Sequence, residues 1–330
     1  MKDLIELKKI RDLIHISNDF VRYEELARVN ANNKSYPIIG FTVGSKDKSA
    51  PTLGLFGGVH GLEKVGTHVI ISFLDSFFKQ LKWDRDLQSL MEKTRIVSIP
   101  LVNPGGMALN WRANPNGVDL MRNAPVEAQI QSKLPFLLSG HRYSNKIPWY
   151  RGPKDSPMEK ESQCLVDFVR EEVFQAKSAI TLDVHSGFGM KDRLWYPYAK
   201  TNDDFPRIKE VEALKDLLDE TLPHNVYSVE PQSSSYMTHG DLWDYLFDEQ
   251  HREEKYKENV FIPWTLELGS WMWVKKNPRQ LFSSMGLFNP IIDHRYQRTM
   301  RRHKQLLNFL LRAIRNPYKW TTALGGSYLP

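Results

Sequence analysis

Apolar residues along the chain fall into two rhythms. Short runs rich in β-branched and aromatic residues predict strands at 37–43 (YPIIGFT), 52–58 (TLGLFGG), 95–102 (RIVSIPLV), 179–184 (AITLDV), 193–198 (RLWYPY) and 261–268 (FIPWTLEL). Between them, 64–81, 158–172, 206–220 and 239–248 carry apolar residues at helical spacing and predict helices. Residues 2–31 predict a further helix, through Leu4, Ile5, Leu7, Ile10 and Leu13. The runs 52–58 and 179–184 are apolar almost throughout, the pattern of strands buried on both faces. Strands alternating with helices predict an α/β fold, with a mixed, mostly parallel sheet and helices on both faces. No composition break divides the chain, so a single domain is expected over 1–330, with 1–36 as an N-terminal helical segment. The stretch 299–315 is basic and amphipathic, and its stripe of Leu306, Leu307, Leu310, Leu311 and Ile314 predicts a helix docked on that domain rather than on a membrane. Two long irregular stretches, 103–157 and 222–238, interrupt the pattern, and loops of such length are commonly functional.

Composition narrows the class. The 330 residues are 41% hydrophobic and 25% charged, as in an ordinary folded chain with a large core. The formal charge of +6 is too small for this length to argue for nucleic acid as a partner. The one cysteine, Cys164, excludes an intrachain disulfide. Charges recur every few residues through the first twenty, so no signal peptide is read there, and a cytoplasmic protein is expected. The longest apolar run of note, VIISFL at 69–74, is far too short to span a bilayer, and no membrane partner is expected.

Candidate chemistry sits where the buried strands end. In GGVHGLE (57–63), His60 and Glu63 stand three apart at a helix entry, so an imidazole and a carboxylate share a face and suit one zinc ion. In TLDVHSGFG (181–189), His185 ends a second apolar strand, with Asp183 two residues earlier on the same strand face, able to hold the imidazole's other nitrogen. In PWTLELGSW (263–271), Glu267 is a carboxylate in a buried strand, where burial raises its pKa towards that of a general base. The loop NWRANPNGVDLMRN (110–123) carries Arg112 and Arg122, which core packing does not explain and which suit a carboxylate or a developing oxyanion. Tyr236 lies on a serine-rich loop that could close over a substrate. Each motif alone has a plainer explanation: a helix cap, a satisfied core histidine, a paired acid, a surface arginine. His68 is expected to pack or be solvated rather than ligate, Trp271 and Trp273 are expected to pack, and Ser186 lacks the elbow of a serine nucleophile.

In this order the motifs resemble the M14 family of zinc carboxypeptidases, over about residues 52 to 271. The resemblance implies that His60, Glu63 and His185 hold one zinc ion, with Glu267 as general base. It implies that Arg112 assists the oxyanion while Arg122 and Tyr236 grip the terminal carboxylate. Ser156 resembles the cap of a family helix. Met121 stands where the family pairs an asparagine with the arginine, and Leu62 replaces the arginine of the pancreatic enzymes. HGLE and the Asp183–His185 pair also resemble the desuccinylase/aspartoacylase branch, which cleaves N-acyl amino acids. The implied activity is therefore metallocarboxypeptidase hydrolysis of a peptide, with an N-acyl-amino-acid amidohydrolase as the alternative. Side-chain preference is expected to lie with Asp241, Leu242, Trp243 and Asp244, after Gly240.

Overall fold

A computed structural model describes residues 4–130, 137–283 and 285–321. The elements run α1 (Ile5–Ile16), β1 (Val21–Ala31), β2 (Lys34–Gly44), β3 (Thr52–Gly57), α2 (Lys64–Gln80), α3 (Arg85–Glu92), β4 (Arg95–Ile99) and α4 (Pro104–Leu109). They continue with α5 (Lys160–Glu172), β5 (Ser178–Ser186), β6 (Arg193–Tyr196), α6 (Ile208–Thr221), β7 (Ser228–Pro231), α7 (Leu242–Arg252), β8 (Val260–Leu268), α8 (Trp271–Lys276) and α9 (Asp293–Arg315). The eight strands form one sheet in the order β1-β2-β4-β3-β5-β8-β6-β7. Its centre, β4-β3-β5-β8, is parallel throughout, and antiparallel pairs join β1, β2 and β6 to that centre. The expected mixed, mostly parallel α/β sheet is what forms.

Every residue of β3, β5 and β8 is buried, as their unbroken apolar runs require. Neighbouring residues of β3 show the two covered faces. The Phe56 ring meets Phe168 of α5 and Trp243 of α7, whereas a Cβ on Gly57 would meet Ile70 of α2. Helix α9 buries the predicted stripe, including Leu306, Leu310 and Ile314, and extends six residues further towards its N-terminus than the sequence pattern suggests. Among the described residues no helix is long and apolar enough to cross a membrane.

Three expectations are corrected. Of the helix expected over 2–31, residues 2 and 3 lie outside the described residues, and among the described residues only Ile5–Ile16 is helical, while Val21–Ala31 is the edge strand β1. Its glutamates and arginines imitate a helix, but an edge strand exposes one side to water and tolerates them. Asn32 and Asn33, both at positive φ, close a two-residue hairpin into β2. The irregular stretches also hold α4 and β7, too short to show periodicity. Ser156 caps no helix, because α5 starts after Glu159 and Ser156 lies exposed in the preceding loop.

Helix α2 reaches very near β5 at Gly66, where a Cβ would fall 2.1 Å from the Val184 carbonyl oxygen. Gly66→Ala is therefore expected to destabilise the protein by about 1–3 kcal/mol, the scale of overpacking, in thermal or denaturant unfolding. An unchanged midpoint would contradict this contact, which sets the helix against the strand that carries His185.

Candidate active site

β3 leads through a tight turn into α2, so His60 and Glu63 lie just beyond the carboxyl end of a buried strand. They meet within this turn rather than on the helix itself. The parallel neighbour β5 brings His185 to the same edge, because Gly57 pairs with Val184. Nδ1 of His60 and Nδ1 of His185 stand 3.2 Å apart. Glu63 lies between them, with Oε1 2.8 Å from the first and Oε2 3.1 Å from the second. The Ser186 backbone N–H donates to Glu63 Oε2 at 2.9 Å and fixes the carboxylate. Burial works to raise the Glu63 pKa, but the His60 and His185 imidazoles outweigh it and hold the group below the ordinary carboxylate range.

Two further carboxylates orient the rings. His60 Nε2 donates to Asp119 Oδ1 at 3.1 Å, and His185 Nε2 donates to Asp183 Oδ2 at 2.8 Å. A carboxylate can only accept here, so both Nε2 atoms carry hydrogen and both Nδ1 lone pairs face the Glu63 corner. Lone pairs and a carboxylate aimed at one buried point repel each other unless a proton or a cation lies between them. Two imidazoles and one carboxylate, with ligand atoms all within 4.8 Å of one another, are a donor set that fits zinc. Burial lowers the His185 pKa, yet Asp183 and Glu63 outweigh it and raise it well above the ordinary value, so in the absence of metal a proton takes the cation's place.

The loop after α4 brings in the arginines. Arg112 Nε donates to Asp119 Oδ2 at 3.0 Å and its Nη1 to Glu63 Oε1 at 3.0 Å. Arg122 Nη1 donates to Asp119 Oδ2 at 3.2 Å and its Nε to the Leu138 carbonyl at 3.1 Å. Burial opposes charge on Asp119, but Arg112 and Arg122 pull its pKa well below the usual range. Gly240, at φ +72°, lets the chain pass against Arg122, where a Cβ would come within 1.9 Å of the Arg122 carbonyl oxygen.

Parallel pairing sets Glu267 of β8 opposite His185. Glu267 accepts the Phe188 N–H at 3.0 Å, and burial together with the Glu63 charge pushes its pKa up to about 8. Tyr236 packs on Phe188 and Trp195, with ring centres 5.5 and 5.7 Å away, and burial raises its hydroxyl to about 12. All these groups except Asp119 and Asp183 line one cavity of about 550 Å³. The structure thus gathers His60, Glu63, His185, Arg112, Arg122, Tyr236 and Glu267, with Asp183 behind His185.

Other expectations fare differently. Of the four residues after Gly240, only Asp241 lines the cavity, and its Oδ1 caps α7 by accepting the Trp243 and Asp244 N–H groups at 2.9 Å. Trp243 turns into the core, where its indole donates to Asp183 Oδ2 at 3.0 Å. Trp271 does not pack away: it is half exposed and lines the cavity. His68 pairs with buried Glu6 at 3.1 Å. Sequence reasoning missed Asp119, whose importance arises from contacts 59 residues distant in the chain. It also missed Trp149, held at a positive φ of 67° on the cavity wall. A buried aspartate between two arginines of one polar loop was the available signal for the former.

Two outcomes follow. Asp119→Ala frees the His60 ring and is expected to weaken zinc binding about 10–100-fold in chelator competition, and unchanged affinity would contradict its role. Glu267, raised from an ordinary 4.5 to about 8, takes up a proton on folding between those values. The metal-free protein should therefore lose stability as pH rises through that window, and Glu267→Gln should flatten the decline. Thermal unfolding across the window checks this, and identical slopes in both proteins would contradict it.

Comparison with known proteins agrees with this geometry. Residues 18–270 match the profile of the zinc carboxypeptidase family. Carboxypeptidase SOL1 of Arabidopsis thaliana is 27% identical over 121 residues, 34% of this chain and 25% of that protein. Carboxypeptidase E of Caenorhabditis elegans is 30% identical over 97 residues, 26% of this chain and 21% of that protein. The matched segments thus span a quarter or less of these curated relatives. Bovine thrombin-activatable fibrinolysis inhibitor, solved in complex with tick carboxypeptidase inhibitor, superposes with a TM-score of 0.65 at 15% identity, covering 96% of this chain and 98% of that one. Carboxypeptidase A from Helicoverpa armigera gives 0.53 at 17% identity, covering 80% and 62%. At such identities these two structures speak for the fold alone. With 18–270 matched and a His-Glu-His trio suited to one metal ion, the chain belongs to the M14 family of zinc carboxypeptidases.

Proposed function

We propose that the protein is a metallocarboxypeptidase that hydrolyses the amide bond next to a free C-terminal carboxylate and releases the terminal amino acid. One observation carries the reading: the metal-binding trio, the buried acid Glu267 and two arginines all border one cavity of about 550 Å³. A Zn²⁺ held by His60, Glu63 and His185 would supply Lewis-acid polarisation and would bring the pKa of water at the site down towards about 7.

The remaining work falls to side chains. Arg122 and the Tyr236 hydroxyl bind the substrate's terminal carboxylate and orient the scissile carbonyl. Arg122 is suited to this because Asp119 and the Leu138 carbonyl occupy Nη1 and Nε and hold its fork in place. Glu267 takes a proton from the attacking water at a carboxylate oxygen and passes it to the leaving amine. Arg112 faces the oxyanion that develops on the carbonyl oxygen.

A second reading keeps the same chemistry on an N-acyl amino acid. The Asp183–His185 pair, at 2.8 Å, and the HGLE turn favour it, since both features are shared with the desuccinylase/aspartoacylase branch.

Glu267→Gln is expected to retain zinc and fold while kcat falls by about 10²–10⁴-fold. Near-normal turnover in that variant would rule out its assigned role. Peptides with free C-termini should be cleaved and their C-terminal amides should not. Cleavage of N-acetyl or N-succinyl amino acids in preference to free peptides would replace the carboxypeptidase reading with the second one.

A further inference from the structure

We infer that a basic cleft along the N-terminal half of α9 is an exosite for acidic residues of polypeptide substrates, upstream of the bond being cleaved. This rests on the carboxypeptidase reading above and names the class of chain that the cavity would be fed. The cleft has two connected parts. One, of about 410 Å³, lies between the 190–192 turn, α8 and α9, and is lined by Lys191, Trp273, Lys276 and Arg298. The other, of about 600 Å³, lies between 221–227 and α9, and is lined by Arg298 and Arg301. Val226, Arg298 and Arg302 line both parts, so the two are continuous.

The charge of this cleft is one-sided. Asp192 is the one carboxylate among the described residues that line it, and Arg302 Nη1 already holds it at 3.0 Å. Lys191, Lys276, Arg298 and Arg301 have no ion-pair partner among the described residues. Arg295 donates to the Trp273 and Lys276 carbonyls at 3.1 and 3.4 Å, which ties α9 to α8 and keeps the floor rigid. Unpaired like charges side by side repel one another, and an anionic partner removes that repulsion.

Position selects the partner. Trp271 lines the catalytic cavity, and the next two residues, Met272 and Trp273, line the cleft, so α8 is a wall common to both. That helix has six residues and so spans about 9 Å. The upstream residues of an extended substrate that leaves the cavity along this shared wall would run beside the cleft. A concave cleft beside the catalytic wall fits an extended acidic peptide better than a flat lipid surface. A modest +6 over 330 residues, concentrated here, fits it better than a nucleic acid.

The test compares three substrates on the zinc-loaded full chain: a short N-blocked dipeptide, a longer peptide with a glutamate run upstream of the same C-terminus, and its glutamine counterpart. The glutamate peptide is expected to show a kcat/KM about 5–20-fold above the glutamine peptide at low salt, through KM. The gap should close near 1 M salt, where screening acts beyond about 3 Å. The double variant R298E/R301E should lose the preference and cleave the dipeptide as the parent does. K191E/K276E serves as a second variant should the first fail to fold. Equal kcat/KM for both long peptides, with the dipeptide cleaved, would overturn the exosite. No cleavage of any substrate would instead overturn the underlying hydrolytic reading. Binding of an oligonucleotide or of phosphatidylserine vesicles that depends on Arg298 and Arg301, without a glutamate preference, would assign the cleft to another partner and likewise overturn the exosite.

Discussion

The structure turns on one electrostatic conflict: His60 and His185 aim their Nδ1 lone pairs at each other across 3.2 Å, with the Glu63 carboxylate between them. Buried groups of this kind cannot be left facing one another without a positive charge in their midst. The conflict is built from behind, because Asp119 and Asp183 hold the opposite nitrogens and forbid either ring to turn its lone pair away. Two imidazole lone pairs and a carboxylate converging on one point are what a divalent cation needs. The same corner explains its neighbours. Arg112 and Arg122 keep Asp119 ionised, and the Glu63 charge helps push the Glu267 pKa upwards.

The scaffold makes this geometry available through strand order. β3, β5 and β8 are consecutive and parallel, so His60, His185 and Glu267 all emerge at one edge of the sheet, where α/β folds place their ligands. The loop at 110–123 supplies what strand ends cannot: Arg112, Asp119 and Arg122 reach into the corner from outside the sheet. Trp243 connects the layers. Its ring packs on Phe56 of β3 and its indole N–H holds Asp183 on β5, so core packing and ligand orientation rest on one side chain.

How much of this was legible in the sequence depends on how local each signal is. β3, β5 and β8 were readable because an unbroken apolar run ending in histidine or enclosing glutamate has few alternatives in a folded chain. The pairing of Asp183 with His185 followed from the two-residue period of a strand. β1 was not legible, because an edge strand is chosen by its neighbour β2 and not by its own composition. Trp243 was expected beside the substrate and points instead to Asp183, since the start of α7 sets its direction and Asp241 caps that start. Asp119 shows the limit of local reading: its partners lie at 60, 112 and 122, and only the folded loop brings them together.

The most direct test of the central claim is anomalous diffraction at the zinc edge from crystals of the zinc-loaded protein. A single strong peak is expected at about 2.0–2.2 Å from Nδ1 of His60, Nδ1 of His185 and a Glu63 oxygen, the ordinary range for such ligands. Crystals that hold zinc elsewhere, or a well-ordered corner without a peak under saturating zinc, would contradict the account.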